Sequence, residues 1–113
     1  MTILVSNDRH LNHIVKHSLK DIVMIISNIY DCQTSLSDPD MDCSILILDA
    51  NLFDNEIFDA FINWILKKNL PIHNILVYNT ENKSYITKGV RRLNKNKYKT
   101  QVIKLEQLLK SLE

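Results

Sequence analysis

Ser44-Ile45-Leu46-Ile47-Leu48-Asp49-Ala50-Asn51 is apolar without alternation and then turns abruptly polar. A strand with one wet face alternates apolar and polar residues, whereas a strand covered on both faces does not. This stretch therefore predicts a parallel strand sandwiched between helices. Thr2-Ile3-Leu4-Val5-Ser6, ending at Asn7-Asp8, and Ile75-Leu76-Val77-Tyr78, ending at Asn79-Thr80-Glu81, follow the same plan. Ile22-Val23-Met24-Ile25-Ile26 reads as another buried strand, and Gln101–Lys104 as a short fifth one.

Helical spacing fills the gaps. Leu11, Ile14, Val15 and Leu19 mark a helix from about Arg9 to Lys20 with Asp8 as its N-cap. Ile57, Phe58, Phe61, Ile62, Ile65 and Leu66 mark the most amphipathic helix, with Asp54 or Asn55 near its start and Lys67-Lys68 at its end, where positive charge suits the helix dipole. A basic helix from about Lys83 to Leu93 and a short one on Leu105, Leu108, Leu109 and Leu112 complete the set. Asp31 to Asp42, polar and holding Pro39, reads as a loop with at most one helical turn. Alternating strands and helices in units of this size specify an α/β domain with a parallel sheet. We expect a single domain over residues 1–113, with a flavodoxin-like five-stranded sheet of order 2-1-3-4-5, helices on both faces and a second helix short or missing.

The 113 residues are 45% hydrophobic and 24% charged with one glycine, enough to build a core without disulfides or a structural metal. That single glycine removes P-loop and dinucleotide-binding readings. Apolar runs are far shorter than the ~20 residues of a membrane span, and no charged leader precedes an apolar stretch, so the expected setting is cytoplasmic with Cys32 and Cys43 as thiols. The net charge of +1 hides a division: residues 1–60 are strongly acidic and residues 61–113 strongly basic.

In such a sheet, ligands meet the carboxyl ends of the strands. There the sequence places Asn7-Asp8, Asp49-Ala50-Asn51, Asn79-Thr80 and Lys104. Clustered carboxylates call for a cation, and Mg²⁺ accepts one or two carboxylates with carbonyl and water oxygens. Asp8, Asp49 and Asn51 are the candidate metal ligands. Asp49 is a candidate nucleophile toward a phosphoryl group, with Asn79, Thr80 and Lys104 to contact the phosphate.

These positions resemble the receiver domains of bacterial two-component response regulators over essentially the whole chain. Asp49-Ala50-Asn51-Leu52-Phe53 matches the phosphoacceptor pattern D-x-N-[ML]-P in four of five positions, Asn7-Asp8 stands where the acidic pair follows the first strand, and Lys104-Leu105 where Lys-Pro follows the fifth. Asn7, Phe53, Leu105 and Asn79 depart from the pattern. The resemblance thus implies an atypical receiver or pseudoreceiver, not an enzyme, with weak Mg²⁺ binding. It implies the N-terminal regulatory and dimerisation part of a transcription regulator of the LuxR type, with DNA reached through a separate module. Partner contact or homodimerisation would use the fourth helix, fifth strand and fifth helix, with Arg91, Arg92 and Lys95 as candidate contacts. Two other functions fit the same residues: a stand-alone adaptor that binds another regulator or a kinase, and a Mg²⁺-dependent phosphoacceptor switch at Asp49.

Two further constellations carry less. His10, His13 and His17 share one side of the first helix at a spacing that can bind zinc, but with no Cys or acidic partner at a fixed spacing a solvated polar face is the expected explanation. The stretch from Lys88 to Lys99 is basic enough to touch phosphates, but it lacks a helix-turn-helix pattern, and a protein contact is the expected use.

Overall fold

Four runs rich in apolar residues pair side by side, the central ones because they have side chains to bury on both faces, and a more polar fifth strand closes one edge. The computed structural model describes residues 1–18, 23–81 and 83–111. In it the strands β1 (Thr2–Val5), β2 (Val23–Ile26), β3 (Ile45–Asp49), β4 (Asn74–Tyr78) and β5 (Lys99–Val102) form one sheet. Every pairing is parallel and the order is β2-β1-β3-β4-β5, as the sequence pattern predicts. The expected places of Leu19, Lys20, Ile22 and Leu112 lie outside the described residues.

Helices α1 (Arg9–Ser18) and α5 (Leu105–Ser111) cover one face, where Leu11, Val15 and Leu108 pack with Leu4, Ile47 and Tyr78. Helices α2 (Ile29–Leu36), α3 (Asn55–Lys68) and α4 (Ser84–Lys95) cover the other, with Phe58, Phe61, Ile62 and Leu93 packed on Ile3, Val5, Leu46, Leu48 and Ile75. Among the described residues no helix is long and apolar enough to cross a membrane.

Three boundaries differ from the sequence reading. The segment read as a loop after Asp31 holds α2, whose first turn is closed by reciprocal capping. Asn28 Oδ1 accepts from the Asp31 backbone N–H at 2.8 Å, and Asn28 Nδ2 donates to Asp31 Oδ2 at 2.8 Å. Cys32 and Leu36, four residues apart, are its only buried anchors, too few to show as periodicity. The fifth strand begins two residues earlier than expected and ends at Val102, leaving Lys104 beyond it. As an edge strand it buries only Thr100, so no apolar run marks it. The basic helix runs on to Lys95 rather than Leu93.

Both cysteines are buried thiols on the α2 side of the sheet. Burial is the main cause that pushes Cys32 up from 9.0 to about 12 and Cys43 to about 11. Unfolded thiols therefore release protons near pH 9 while folded ones hold theirs, so this contribution to stability is intact below pH 9 and lost as pH rises toward 11 and 12. Each thiol costs about 1.4 kcal/mol per pH unit in that window. Chemical denaturation at pH 8 and pH 10.5 should show a clear loss at the higher pH, which shrinks when both cysteines are replaced by alanine in a background that still folds. Native protein should also resist iodoacetamide until denaturant is added.

Candidate functional site

Because all five strands run the same way, the loops after β1, β3 and β4 share one rim. Asp49 ends β3, buried at 4% exposure, beside Tyr78 in the register of β3 and β4. A short 3-10 turn, Ala50–Leu52, follows it, and Asp49 Oδ1 caps that turn by accepting from the Asn51 N–H at 2.9 Å. The same oxygen accepts from Asn79 Nδ2 at 3.1 Å. Asn79 can deliver its amide there because it stands in the left-handed region, φ 59°, where asparagine is tolerated better than most residues. Structure therefore joins Asp49, Asn51 and Asn79 through hydrogen bonds, with an amide on Asp49 where the resemblance implies a hydroxyl.

The cation of this rim comes from an unexpected place. Lys83 Nζ donates to the Ala50 carbonyl at 2.9 Å and to Asn51 Oδ1 at 3.0 Å. Lys83 is the N-cap of α4, and its side chain makes no cap bond there. A lysine is a poor choice at this end of a helix, where the macrodipole is positive and an oxygen acceptor is wanted. Its reach across to the loop after β3 gives the position a different use. Two residues on, Tyr85 Oη donates to the Phe53 carbonyl at 2.8 Å, so the β4–α4 segment is tied to the loop after β3 at two points. Phe53, which stands in the pattern's proline position, is buried against Phe58 and Phe61 with ring centroids 5.3 and 5.4 Å away, and it pins that loop to the core.

The other candidates occupy the rim without joining this network. Asp8 is exposed, and its Oδ1 caps α1 by accepting from the Leu11 N–H at 3.1 Å. Thr80 lends its backbone carbonyl to the Lys83 N–H at 3.2 Å. Lys104 is exposed; its backbone N–H donates to Gln107 Oε1 at 3.0 Å, and among the described residues no hydrogen bond or ion pair links its ammonium to Asp49.

Beneath the rim, Tyr78 Oη is fully buried without a hydrogen-bond partner among the described residues, as is Asn12 Oδ1. Burial is the main cause that raises the Tyr78 pKa, and the charges of Asp49 and Asp8 add to it. Both carboxylates thus act on one buried phenol.

The oxygens a cation would need already accept hydrogen bonds within the chain. The Asn51 side-chain oxygen is taken by an ammonium, one Asp49 oxygen holds two donors, and one Asp8 oxygen caps a helix. Among the described residues no group of three or more His, Cys, Asp or Glu side chains gathers to hold a metal ion, so His10, His13 and His17 do not form one, although the His13 and His17 rings lie 4.3 Å apart.

Of the expected contact residues on α4, Arg91 and Lys95 are exposed. Arg92 is committed within the chain: Nη1 pairs with Asp59 on α3 at 2.9 Å and Nη2 donates to Asn63 Oδ1.

No protein-family model matches the chain, and comparison with curated proteins and with solved structures finds no significant match.

Proposed function

We propose that this chain is a receiver-like regulatory domain that works through protein contact and does not depend on aspartyl phosphorylation. One observation carries the reading: oxygens at and after Asp49 are engaged by the chain itself, with the Asn79 amide on its carboxylate and the Lys83 ammonium on the Ala50 carbonyl and Asn51 Oδ1. A phosphoryl switch needs a metal beside the acceptor and a loop free to follow the phosphate. Here a lysine occupies acceptor oxygens of the loop, and the β4–α4 segment is fastened by Lys83 and Tyr85. The parallel order 2-1-3-4-5 and the exposed basic surface of α4 support a module that displays a face to partners. Service as the regulatory part of a LuxR-type transcription regulator belongs to the same proposal, with DNA bound by a different module.

Beryllofluoride with millimolar Mg²⁺ tests it. Amide resonances of Asp49, Asn79, Lys83 and the first turn of α4 are expected to stay in place. Saturable shifts centred on Asp49 would overturn phosphorylation independence and favour the phosphoacceptor switch.

A further inference from the structure

Charge is divided along this chain more sharply than the totals suggest. Between Asp21 and Leu66 there is no Lys or Arg, and between Lys83 and Lys104 there is no Asp or Glu. The sheet order turns that division into a spatial one. β2, with α2 after it, lies at one edge, and β5, which follows α4, lies at the opposite edge. Asp31, Asp38, Asp40 and Asp42 are exposed on and after α2, while Lys95, Lys97 and Lys99 are exposed at the other end.

This polarity selects between modes of self-association. A two-fold dimer through α4 and β5 would set each basic surface against its own copy, with no carboxylate between Lys83 and Lys104 to relieve the repulsion. A head-to-tail contact sets opposite charges together. Apolar shape points the same way. Tyr30, on the first turn of α2 beside Asp31, is 76% exposed, well above Ile57 and Val102, the other exposed large hydrophobics. At the far edge an open groove of about 580 Å³ is lined by Leu76, Gln101, Val102, Ile103 and Gln107, and Val102 in it is 44% exposed. An aromatic body fits against Leu76, Val102 and Ile103, and its hydroxyl suits the amides of Gln101 and Gln107.

We infer that the occupant of the β5 groove is a second copy of this chain, docked head to tail, with Tyr30 entering the groove and the α2 carboxylates facing the lysines of the β5 edge. This goes beyond the receiver reading and stands independently of it. A knob and a hole on opposite edges make a contact that does not close on itself, so copies add in series.

Sedimentation velocity of the full chain tests the inference at about 0.01 M and about 1 M salt, where the screening length is about 30 and about 3 Å. At low salt the average mass should climb past that of a dimer with protein concentration, and at high salt it should fall to the monomer. Tyr30→Ser removes the knob and Val102→Glu spoils the groove. Both positions are exposed, and circular dichroism should match the parent. Each variant alone should stay monomeric at low salt, while an equimolar mixture should form a species of two chains and stop there, because one intact knob meets one intact groove. A parent that is monomeric at low salt, a parent dimer untouched by either substitution, or a mixture that stays monomeric would each overturn the inference.

Discussion

Valine at position 89 is expected to lower the thermal midpoint by about 10 °C, or to prevent folding altogether. Gly89 is the chain's single glycine and faces α3 from the middle of α4. A Cβ there would stand 2.3 Å from Phe58 Cε2, 3.0 Å from Phe58 Cδ2 and 3.2 Å from Ile62 Cγ1. The Phe58 ring has little room to retreat, since it is buried with Phe53 at 5.3 Å and Tyr85 at 6.3 Å between centroids. Overpacking of this kind costs about 1–3 kcal/mol, and each kcal/mol moves the midpoint of a domain this size by about 4 °C. Alanine separates the two opposing effects. It gains about 1 kcal/mol of helix propensity over glycine but already carries the 2.3 Å contact of its Cβ with Phe58, so Gly89→Ala should be destabilised, though less than Gly89→Val, whose two methyl groups add to the clash. Calorimetry of the three proteins checks the order. A valine variant as stable as the parent would mean that α4 does not approach α3 as closely as described.

The same packing shows why parts of the molecule can be read from sequence and parts cannot. β1, β3 and β4 are legible because continuous burial on both faces leaves an unbroken apolar run, and the polar residues after each run mark the rim. α2 and β5 lie at the edges, where a helix needs only Cys32 and Leu36 and a strand only Thr100, so periodicity fades. The capping pair Asn28 and Asp31 was the available signal for α2, three residues apart at a helix start. At the rim, Asp49 and Asn79 are legible as strand-end polar residues. Lys83 is not, because its partners Ala50 and Asn51 are more than thirty residues away and nothing local explains it. Its one trace in the sequence is negative: a cation where a helix start prefers an oxygen, with Ser84 next to it able to serve better.

Lys83→Met is expected to raise the affinity of the rim for Mg²⁺ on the order of tenfold, the effect of removing a unit positive charge a few Å from a divalent ion at surface dielectric. Methionine keeps the length of the side chain and loses the ammonium. The Ala50 carbonyl and Asn51 Oδ1 then lose their donor, and both are hard oxygens beside the Asp49 carboxylate, the chemistry Mg²⁺ prefers. Some stability is lost with the two bonds, about 1 kcal/mol given that Lys83 is only half-buried, and hydrogen exchange at the start of α4 should quicken. Calorimetric titration with MgCl₂ should find little heat for the parent and saturable binding for the variant. Lys104→Met supplies the control: its ammonium makes no bond to Asp49 among the described residues, so the substitution should leave Mg²⁺ affinity within about twofold, a difference of about 0.4 kcal/mol. If instead Lys104→Met opened the site and Lys83→Met did not, the cation governing Asp49 would be the strand-end lysine of the receiver pattern. The case for a rim neutralised from the β4–α4 segment would then be lost, and phosphorylation independence with it.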